Sequence, residues 1–230
     1  MMNGAIKVKV GAPDIVRVKM GEAKFMVVSD NAHRLFWNNY LNGSNFQYAF
    51  AGSHWTDETF NPPMRIDLSG NNASYMFYKS GVRKSPHLFE LDFSKCIGAI
   101  QIFMGSRVEE LGVLNFSSVI AGWGGLNQTF YDCNKLRKIE KLIVPSYSIP
   151  INCFNGCSSL EEIRFEGTLF TALDFQQSPL LSNETAQSVI DHLVDLTGKT
   201  AQQIKFHADV KAKMTDEQKQ QISNKNWTLA

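Results

Sequence analysis

The sequence of 230 residues has few cysteines, no long apolar run and no excess of charge of either sign. Its four cysteines, Cys96, Cys133, Cys153 and Cys157, are few for a secreted domain that is held together by disulfides. The formal net charge of +1 gives no basic surplus of the kind that binds nucleic acid, and no acidic tail. We therefore expect neither a disulfide scaffold nor a nucleic-acid-binding protein.

Long hydrophobic segments are also missing. The longest uncharged apolar run, CIGAIQIFMGS, spans 11 residues from Cys96 to Ser106, whereas a membrane-spanning helix needs about 20. The opening MMNGAIKVKVGAP lacks the continuous apolar core of a secretory signal. We expect a soluble chain that does not insert into a membrane and carries no signal peptide.

Familiar catalytic and metal-binding patterns are absent as well. The sequence contains no G-x-S-x-G, no P-loop, no H-E-x-x-H and no dinucleotide fingerprint. The five histidines are scattered, and none lies near Cys157 in the sequence. The adjacent pairs Glu109–Glu110 and Glu161–Glu162 are interpreted as solvated side chains, with an acid-base role as the alternative. The prediction is a protein with no catalytic residue, no metal site and no cofactor, and therefore not an enzyme.

What the sequence does have is an internal repeat. The pattern Phe-x-x-Ser/Cys occurs six times in register, at intervals of 21 to 27 residues, beginning at Phe50, Phe77, Phe103, Phe130, Phe154 and Phe175. A second pattern, apolar-x-x-Leu/Ile-x-apolar, keeps step with the first, in copies that begin at Leu88, Leu111, Ile139 and Leu160, with a weaker copy that ends in Ile66 and Leu68.

Each repeat predicts a short strand, because its last two apolar residues are two apart and share one face. One unit cannot bury that face alone, so neighbouring units should stack and bury columns of Phe, of Leu or Ile, and of Ser or Cys. Cys133 and Cys157 fall in the Ser/Cys column. This placement predicts four free, buried thiols.

Side chains that alternate with the buried ones should line up on the exposed face. One row would contain Asp67, Asp92, Asn115, Ile143 and Arg164, and the other Arg65, Glu90, Val113, Lys141 and Glu162. Asp67 and Asp92 would then be like charges on neighbouring strands, which lie about 4.8 Å apart. They are either a tolerated, solvated pair or part of a contact with a cation, a glycan hydroxyl or a basic partner.

The candidate binding residues follow from these rows and from two insertions between repeats. They are Asp67, Asp92, Asn115 and Arg164 on the exposed face, and Trp55 and Trp123 in the segments SHWTDETFNPP and GWGGLN. For both tryptophan segments the alternatives are a plain loop insertion and an exposed contact loop.

The segments CFNGCSSLEEIRF and TFYDCNKLRKIEKLIVP resemble the leucine-rich repeats of the BspA-like type, over about residues 50–180. The repeats here are longer than is usual in that family, and the strand-ending proline occurs only at Pro145. The stretch from Leu181 to Ala230 resembles the C-terminal end of leucine-rich-repeat proteins of phages and prophages.

The resemblance and the repeats together imply an α+β, mostly β fold. It would be a leucine-rich-repeat solenoid of about five to six repeats, with a β-rich N-terminal segment and an α/β C-terminal cap. The expected divisions are a docking or capping segment over 1–48, the solenoid over 49–181 and the cap over 182–230. In the cap we expect a helix from Ser182 to Leu196, a strand in QQIKFH, a helix opened by a Thr215–Gln218 capping box, and a last strand in NWTLA.

The resemblance further implies a non-enzymatic structural or adhesive protein of a bacteriophage particle, at the tail, the baseplate or the fibre periphery. Its expected partners are other phage structural proteins and a glycan or protein of the host surface, within an oligomeric assembly. It would be made in the bacterial cytoplasm and reside in the virion. The alternative is a BspA-like bacterial surface adhesin, against which the missing signal peptide and cell-wall anchor count.

Overall fold

The computed structural model describes residues 6–9, 15–18, 46–62, 66, 68–119, 125–147, 149, 151–171 and 173–230. An antiparallel pair of strands comes first, β1 (Ile6–Lys9) with β2 (Ile15–Val18). The β-rich start predicted from the sequence is confirmed for these two strands. The rest of the predicted N-terminal segment over 1–48 lies outside the described residues, except for 46–48.

Seven phenylalanine rings stack into one buried column. The distances between successive ring centroids are 5.2–5.8 Å, and no ring is more than 1% exposed. The rings of this column belong to Phe50, Phe77, Phe103, Phe130, Phe154, Phe175 and Phe206. The Phe-x-x-Ser/Cys pattern correctly selected the first six of them, and Phe206 extends the ring column into the segment that was expected only to cap it.

The remaining strands form two parallel sheets of three strands each. The first sheet contains β3 (Glu110–Asn115), β4 (Lys138–Ile143) and β5 (Glu162–Glu166). The second contains β6 (Asp174–Phe175), β7 (Gln202–Phe206) and β8 (Trp227–Leu229). The α-helices of the described residues are α1 (Asn183–His192), α2 (Ala208–Lys213) and α3 (Asp216–Asn224), and short 3-10 helices cover Pro86–Glu90 and Ile151–Phe154.

The predicted leucine-rich-repeat solenoid of about five to six repeats is wrong. The strands make two separate three-stranded sheets, not one sheet to which each repeat contributes a strand. The copy that begins at Leu88 starts in the 3-10 helix Pro86–Glu90, and where its strand was expected only Asp92 has a bridge assignment. Over the described residues 46–105, neighbouring units are joined instead by backbone hydrogen bonds between turns, such as Phe77 N–H to Ile102 O at 2.8 Å.

The predicted register holds between β3 and β4 and fails between β4 and β5. Val113 pairs with Lys141 and Asn115 with Ile143, as expected. Glu162, however, pairs with Lys138, and Ile143 pairs with Glu166 instead of Arg164.

The cause of this failure is the spacing of the buried residues. Buried side chains are three apart in β3 and β4 but two apart in β5, so one extra residue shifts the register between β4 and β5. Ile139 therefore pairs with Ile163, and Leu142 with Phe165. The sequence pattern had aligned Leu160 with Ile139, which is one buried position too early.

Helix α1 covers the outer edge of β5. The hydroxyl of Ser182 accepts a hydrogen bond from Thr185 N–H at 3.1 Å and caps the helix, as predicted. Farther along α1, the hydroxyl of Thr185 accepts from Ile163 N–H at 3.0 Å and that of Ser188 from Phe165 N–H at 2.9 Å. These contacts satisfy edge amides that a further strand would otherwise bind.

The C-terminal elements follow the prediction more closely than the repeats do. Strands β7 and β8 and the capping box between Thr215 and Gln218 are all present, and Trp227 is buried. Helix α1 ends at His192 instead of Leu196, because Leu193 turns into a parallel bridge with Leu169. Helix α2 and strand β6 were not predicted.

Candidate binding groove

An open groove lies along the exposed face of the first sheet, beside the N-terminal end of α1. Its volume is about 570 Å³. We call it the sheet groove and define it by the residues that line it: Val113, Lys138, Ile139, Glu140, Lys141, Glu162, Ile163, Arg164, Ser182, Glu184 and Thr185.

Strict alternation along β5 supplies the charged floor of the sheet groove. Ile163 and Phe165 are buried, so Glu162, Arg164 and Glu166 point outward and are exposed. The Glu162 carboxylate accepts a hydrogen bond from Lys138 Nζ at 2.9 Å, and this contact raises the pKa of the lysine. Both groups of this pair are therefore engaged with each other.

Three charged side chains of the sheet groove make no ion pair with any described residue: Arg164, Glu140 and Glu184. Lys141, in contrast, is bound to Glu166 at 2.9 Å. Arg164 also lines a second cavity of about 590 Å³, together with Asp191 and Glu217. A guanidinium carries five N–H donors in a planar fork, so Arg164 can bind a carboxylate or another acceptor from a partner.

Glu109, which precedes β3, is buried, so the prediction that it is solvated is wrong. Burial alone would raise its pKa, but hydrogen bonds from Arg83 and Lys84 outweigh burial, and the pKa of Glu109 is lowered. The neighbouring backbone is held by Asp57, whose carboxylate accepts hydrogen bonds from three successive N–H groups, at Arg83, Lys84 and Ser85, at 2.7–3.0 Å. These contacts join successive repeats and are structural.

The structure does not bring the predicted site residues together. Arg164 lies in the sheet groove. Asp92 and Asn115 each accept a hydrogen bond from the N–H two residues ahead, at Ser94 and Ser117, and so stabilise turns. The remaining three candidates are Trp55, whose ring is buried against Phe50, and Asp67 and Trp123, which lie outside the described residues.

The residues that sequence reasoning missed come from α1. Ser182, Glu184 and Thr185 line the groove, but nothing in the repeat pattern places α1 beside β5. The sequence signal that could have pointed to these residues was the helix cap at Ser182, because it shows that a helix follows the last predicted repeat strand. Val113, Lys141 and Glu162 were expected on the exposed face, and all three line the groove.

The four cysteines are free and buried, as predicted. The thiol of Cys133 donates to Phe103 O at 2.8 Å and that of Cys157 to Phe130 O at 3.0 Å. Burial raises the pKa of Cys133 and of Cys153 to about 12, so these thiols stay protonated at neutral pH. A protonated, buried thiol is a poor nucleophile and a poor metal ligand.

Within the described part of the chain, no three His, Cys, Asp or Glu side chains lie close enough together to hold a metal ion. Over the same residues, no helix has the length and apolar character needed to cross a bilayer. Comparison of the chain with models of protein families, with curated proteins and with solved structures gave no match.

Proposed function

We propose that this chain is a non-enzymatic structural or adhesive protein of a bacteriophage particle, at the tail, the baseplate or the fibre periphery. It would bind a neighbouring particle protein or the host surface through the sheet groove. The observation that carries the proposal is Arg164, which lies at the floor of an open groove of about 570 Å³ and makes no ion pair with any described residue. The placement in a phage particle is supported by the segment from Leu181 to Ala230, which resembles the C-terminal end of leucine-rich-repeat proteins of phages and prophages.

The charge of the groove indicates what kind of contact it makes. Lys138 and Lys141 are held by glutamates at 2.9 Å, whereas Arg164, Glu140 and Glu184 make no ion pair with a described residue. A partner with complementary acidic and basic side chains would be oriented by these three residues, since opposite charges at a rim set register and association rate. This arrangement fits a protein partner.

The experiment is a charge reversal at Arg164. Phage particles are purified from the bacterial strain or phage that carries the gene and are tested for the protein by immunoblot. In a second step, particles are assembled with the wild-type chain or with Arg164→Glu. The proposal expects the protein in the particle fraction and much less of the Arg164→Glu chain there. Arg107→Glu is the matched control, because Arg107 is also exposed and does not line the groove.

A different result would point to the alternative function. If the protein were found on bacterial cells and never in purified particles, a BspA-like surface adhesin would replace the phage proposal. If both variants entered particles as the wild-type chain does, the sheet groove would not be the contact surface. Genes for tail and baseplate proteins next to this gene would support the proposal of a phage particle protein.

A further inference from the structure

The second cavity beside Arg164 is lined by β5, by α1 and by the first turn of α3. Its volume is about 590 Å³, and we call it the helix cavity. Arg164 also lines the sheet groove, so the two cavities share this side chain. A partner that lies in the sheet groove can therefore extend past Arg164 into the helix cavity.

One side chain of the helix cavity is buried while half of its amide is unused. Gln218 is 4% exposed, and its Oε1 accepts the hydrogen bond of Thr215 N–H at 2.9 Å. This capping bond identifies the oxygen and so also the NH₂ group of the amide. The NH₂ group makes no hydrogen bond with any described residue. Because a buried donor without an acceptor costs free energy, Gln218 is suited to donate to an acceptor that enters the cavity.

The cap itself does not need this NH₂ group. A capping box uses only the side-chain oxygen of its third helical residue, so glutamate serves as well as glutamine. Glutamate would also interact more favourably with the N-terminal end of the helix dipole. Glutamine at 218 keeps the cap and adds a donor, and it also avoids a second carboxylate next to Glu217. The experiment has to separate these two advantages.

Arg164 supplies the other donors of the helix cavity. It is exposed and makes no ion pair with a described residue. Two carboxylates of the same cavity are engaged elsewhere. Asp191 Oδ1 accepts from Gln187 Nε2 at 2.6 Å, and hydrogen bonds from its own backbone N–H and from the Thr215 hydroxyl lower the pKa of Glu217.

We propose that Arg164 and Gln218 bind a carboxylate side chain of a partner protein in the helix cavity. The inference rests on the function proposed above, because the carboxylate belongs to the partner that the sheet groove binds. A guanidinium binds a carboxylate through two parallel N–H···O bonds, and the NH₂ group of Gln218 adds a third donor.

The other charges of the helix cavity favour a protein segment over an acidic polysaccharide. Glu184 makes no ion pair with a described residue, and Asp191 is a second carboxylate of the cavity. Both would repel the repeated carboxylates of a polyuronic acid, whereas they would attract a lysine or arginine beside a single acidic residue. We therefore expect a segment in which one acidic residue is flanked by basic residues.

The test is a titration of the ¹⁵N-labelled full chain followed by NMR. The probe is the peptide acetyl-Lys-Ala-Glu-Ala-Lys-amide, its control has glutamine in place of the glutamate, and a third probe is hexagalacturonate. The glutamate peptide should shift the side-chain NH₂ signal of Gln218, and the glutamine peptide should leave it in place. Binding of hexagalacturonate without binding of the glutamate peptide would mean an acidic glycan site and would overturn the proposal.

Two variants at Gln218 separate the donor from the cap. Gln218→Glu keeps the capping box and so the melting temperature, but it should weaken binding of the glutamate peptide by about tenfold or more. Gln218→Met removes the donor without adding charge and should also weaken binding. Gln203→Glu is the matched control, because Gln203 is exposed and lies outside the helix cavity.

Three results at this step would overturn the proposal. They are the absence of any shift with the glutamate peptide, equal affinity of Gln218→Glu and the wild-type chain, and wild-type affinity of Gln218→Met. The third would show that Gln218→Glu acts by repulsion and that the NH₂ group is not a contact.

Particle assembly distinguishes a failure of this inference from a failure of the proposed function. The inference expects Gln218→Glu, like Arg164→Glu, to be depleted from particles. If only Arg164→Glu were depleted and no peptide bound, the sheet groove would remain the contact surface and the carboxylate site would be wrong. If the protein were absent from particles but bound the glutamate peptide through Gln218, the phage proposal would be wrong and the site would stand.

Discussion

The two three-stranded sheets share the ring column but take their rings from different kinds of backbone. Beside the first sheet, Phe103 and Phe130 lie in turns and Phe154 ends a 3-10 helix. In the second sheet, Phe175 and Phe206 lie in β6 and β7 and face each other as paired residues. The stacked rings are nevertheless evenly spaced across both regions, at 5.2–5.8 Å.

The stacking of these rings does not require one backbone conformation. A buried aromatic column needs rings at regular distances, and turns or strands can both supply them. A regular Phe pattern in the sequence is therefore good evidence for shared packing and weak evidence for a strand in every repeat. This distinction is why the ring column could be predicted while the solenoid prediction was wrong.

The sheets also differ at their edges. The outer edge of β5 is covered by hydroxyls of α1, which accept hydrogen bonds from Ile163 N–H and Phe165 N–H. In the second sheet α3 packs beside β8, the last strand. Hydroxyls of α1 accept the hydrogen bonds of these β5 amides, and β5 is the last strand of the first sheet. Strand β6 belongs to the second sheet.

The largest effect should come from removing a ring of the column. Phe130→Ala should lower the free energy of unfolding by about 3–5 kcal/mol, because the ring is fully buried and a cavity would remain. If ring packing contributes more to stability than the local backbone conformation does, Phe206→Ala in β7 should lower the free energy of unfolding by about as much as Phe130→Ala. Urea unfolding of both variants measures the comparison.

Phe89→Ala is the control for the ring variants, since Phe89 is 42% exposed and should change stability by no more than about 0.5 kcal/mol. A Phe206→Ala chain that loses less than about 1 kcal/mol would show that the ring column effectively ends at Phe175.

The next effect concerns the covered edge of β5. Thr185→Val keeps the side-chain shape but leaves Ile163 N–H buried without an acceptor, which should cost about 1–3 kcal/mol. Thr228→Val is the matched change in the other sheet, where the hydroxyl is exposed and its contact with Gln202 O is long, at 3.4 Å. Equal unfolding midpoints for the two variants would show that α1 does not stabilise the edge.

How far the sequence predicts this molecule depends on the range of the signal. Local signals worked: the Ser182 cap, the Thr215–Gln218 capping box and the strand around Ile204 are where the sequence placed them. Each depends on a few neighbouring residues and on backbone hydrogen bonds that those residues complete by themselves.

Signals that depend on alignment between repeats worked only in part. Leu136, Ile139 and Leu142 are three apart, so several alignments with Leu160, Ile163 and Phe165 bury apolar residues equally well. Only the shift between β4 and β5 decides among them. The candidate site suffered most, since the sheet groove needs α1 beside β5, and no local pattern specifies that contact.

The capping box of α3 should have a smaller effect than the edge of β5. Thr215→Ala removes the hydroxyl that accepts from Gln218 N–H at 3.2 Å and should cost about 1 kcal/mol. Thr200→Ala, at an exposed position outside any helix, is the control and should be nearly neutral. Thermal unfolding followed by circular dichroism distinguishes the two. A neutral Thr215→Ala would mean that packing against β8, and not the cap, holds α3.

The smallest expected effect comes from removing the charge of Glu109, which lies beside the first sheet. Glu109, just before β3, is the only charged residue that is buried in the described part of the chain. Its carboxylate is bound by Arg83 and Lys84, whose side chains are 56% and 65% exposed. Water therefore screens both cations, and the interaction should stabilise the fold only modestly.

We expect Glu109→Gln to lower the free energy of unfolding at pH 7 by less than about 1 kcal/mol. The pKa of Glu109 is lowered from 4.5 in the folded chain, so the unfolded chain takes up a proton first as the pH falls. The contribution of the carboxylate is thus fully present above about 4.5 and is lost as the pH falls through the folded pKa. Urea unfolding from pH 7 to pH 3 should show the two chains converging in acid. A gap that stayed constant or widened would mean that the ion pair is not the source of the difference.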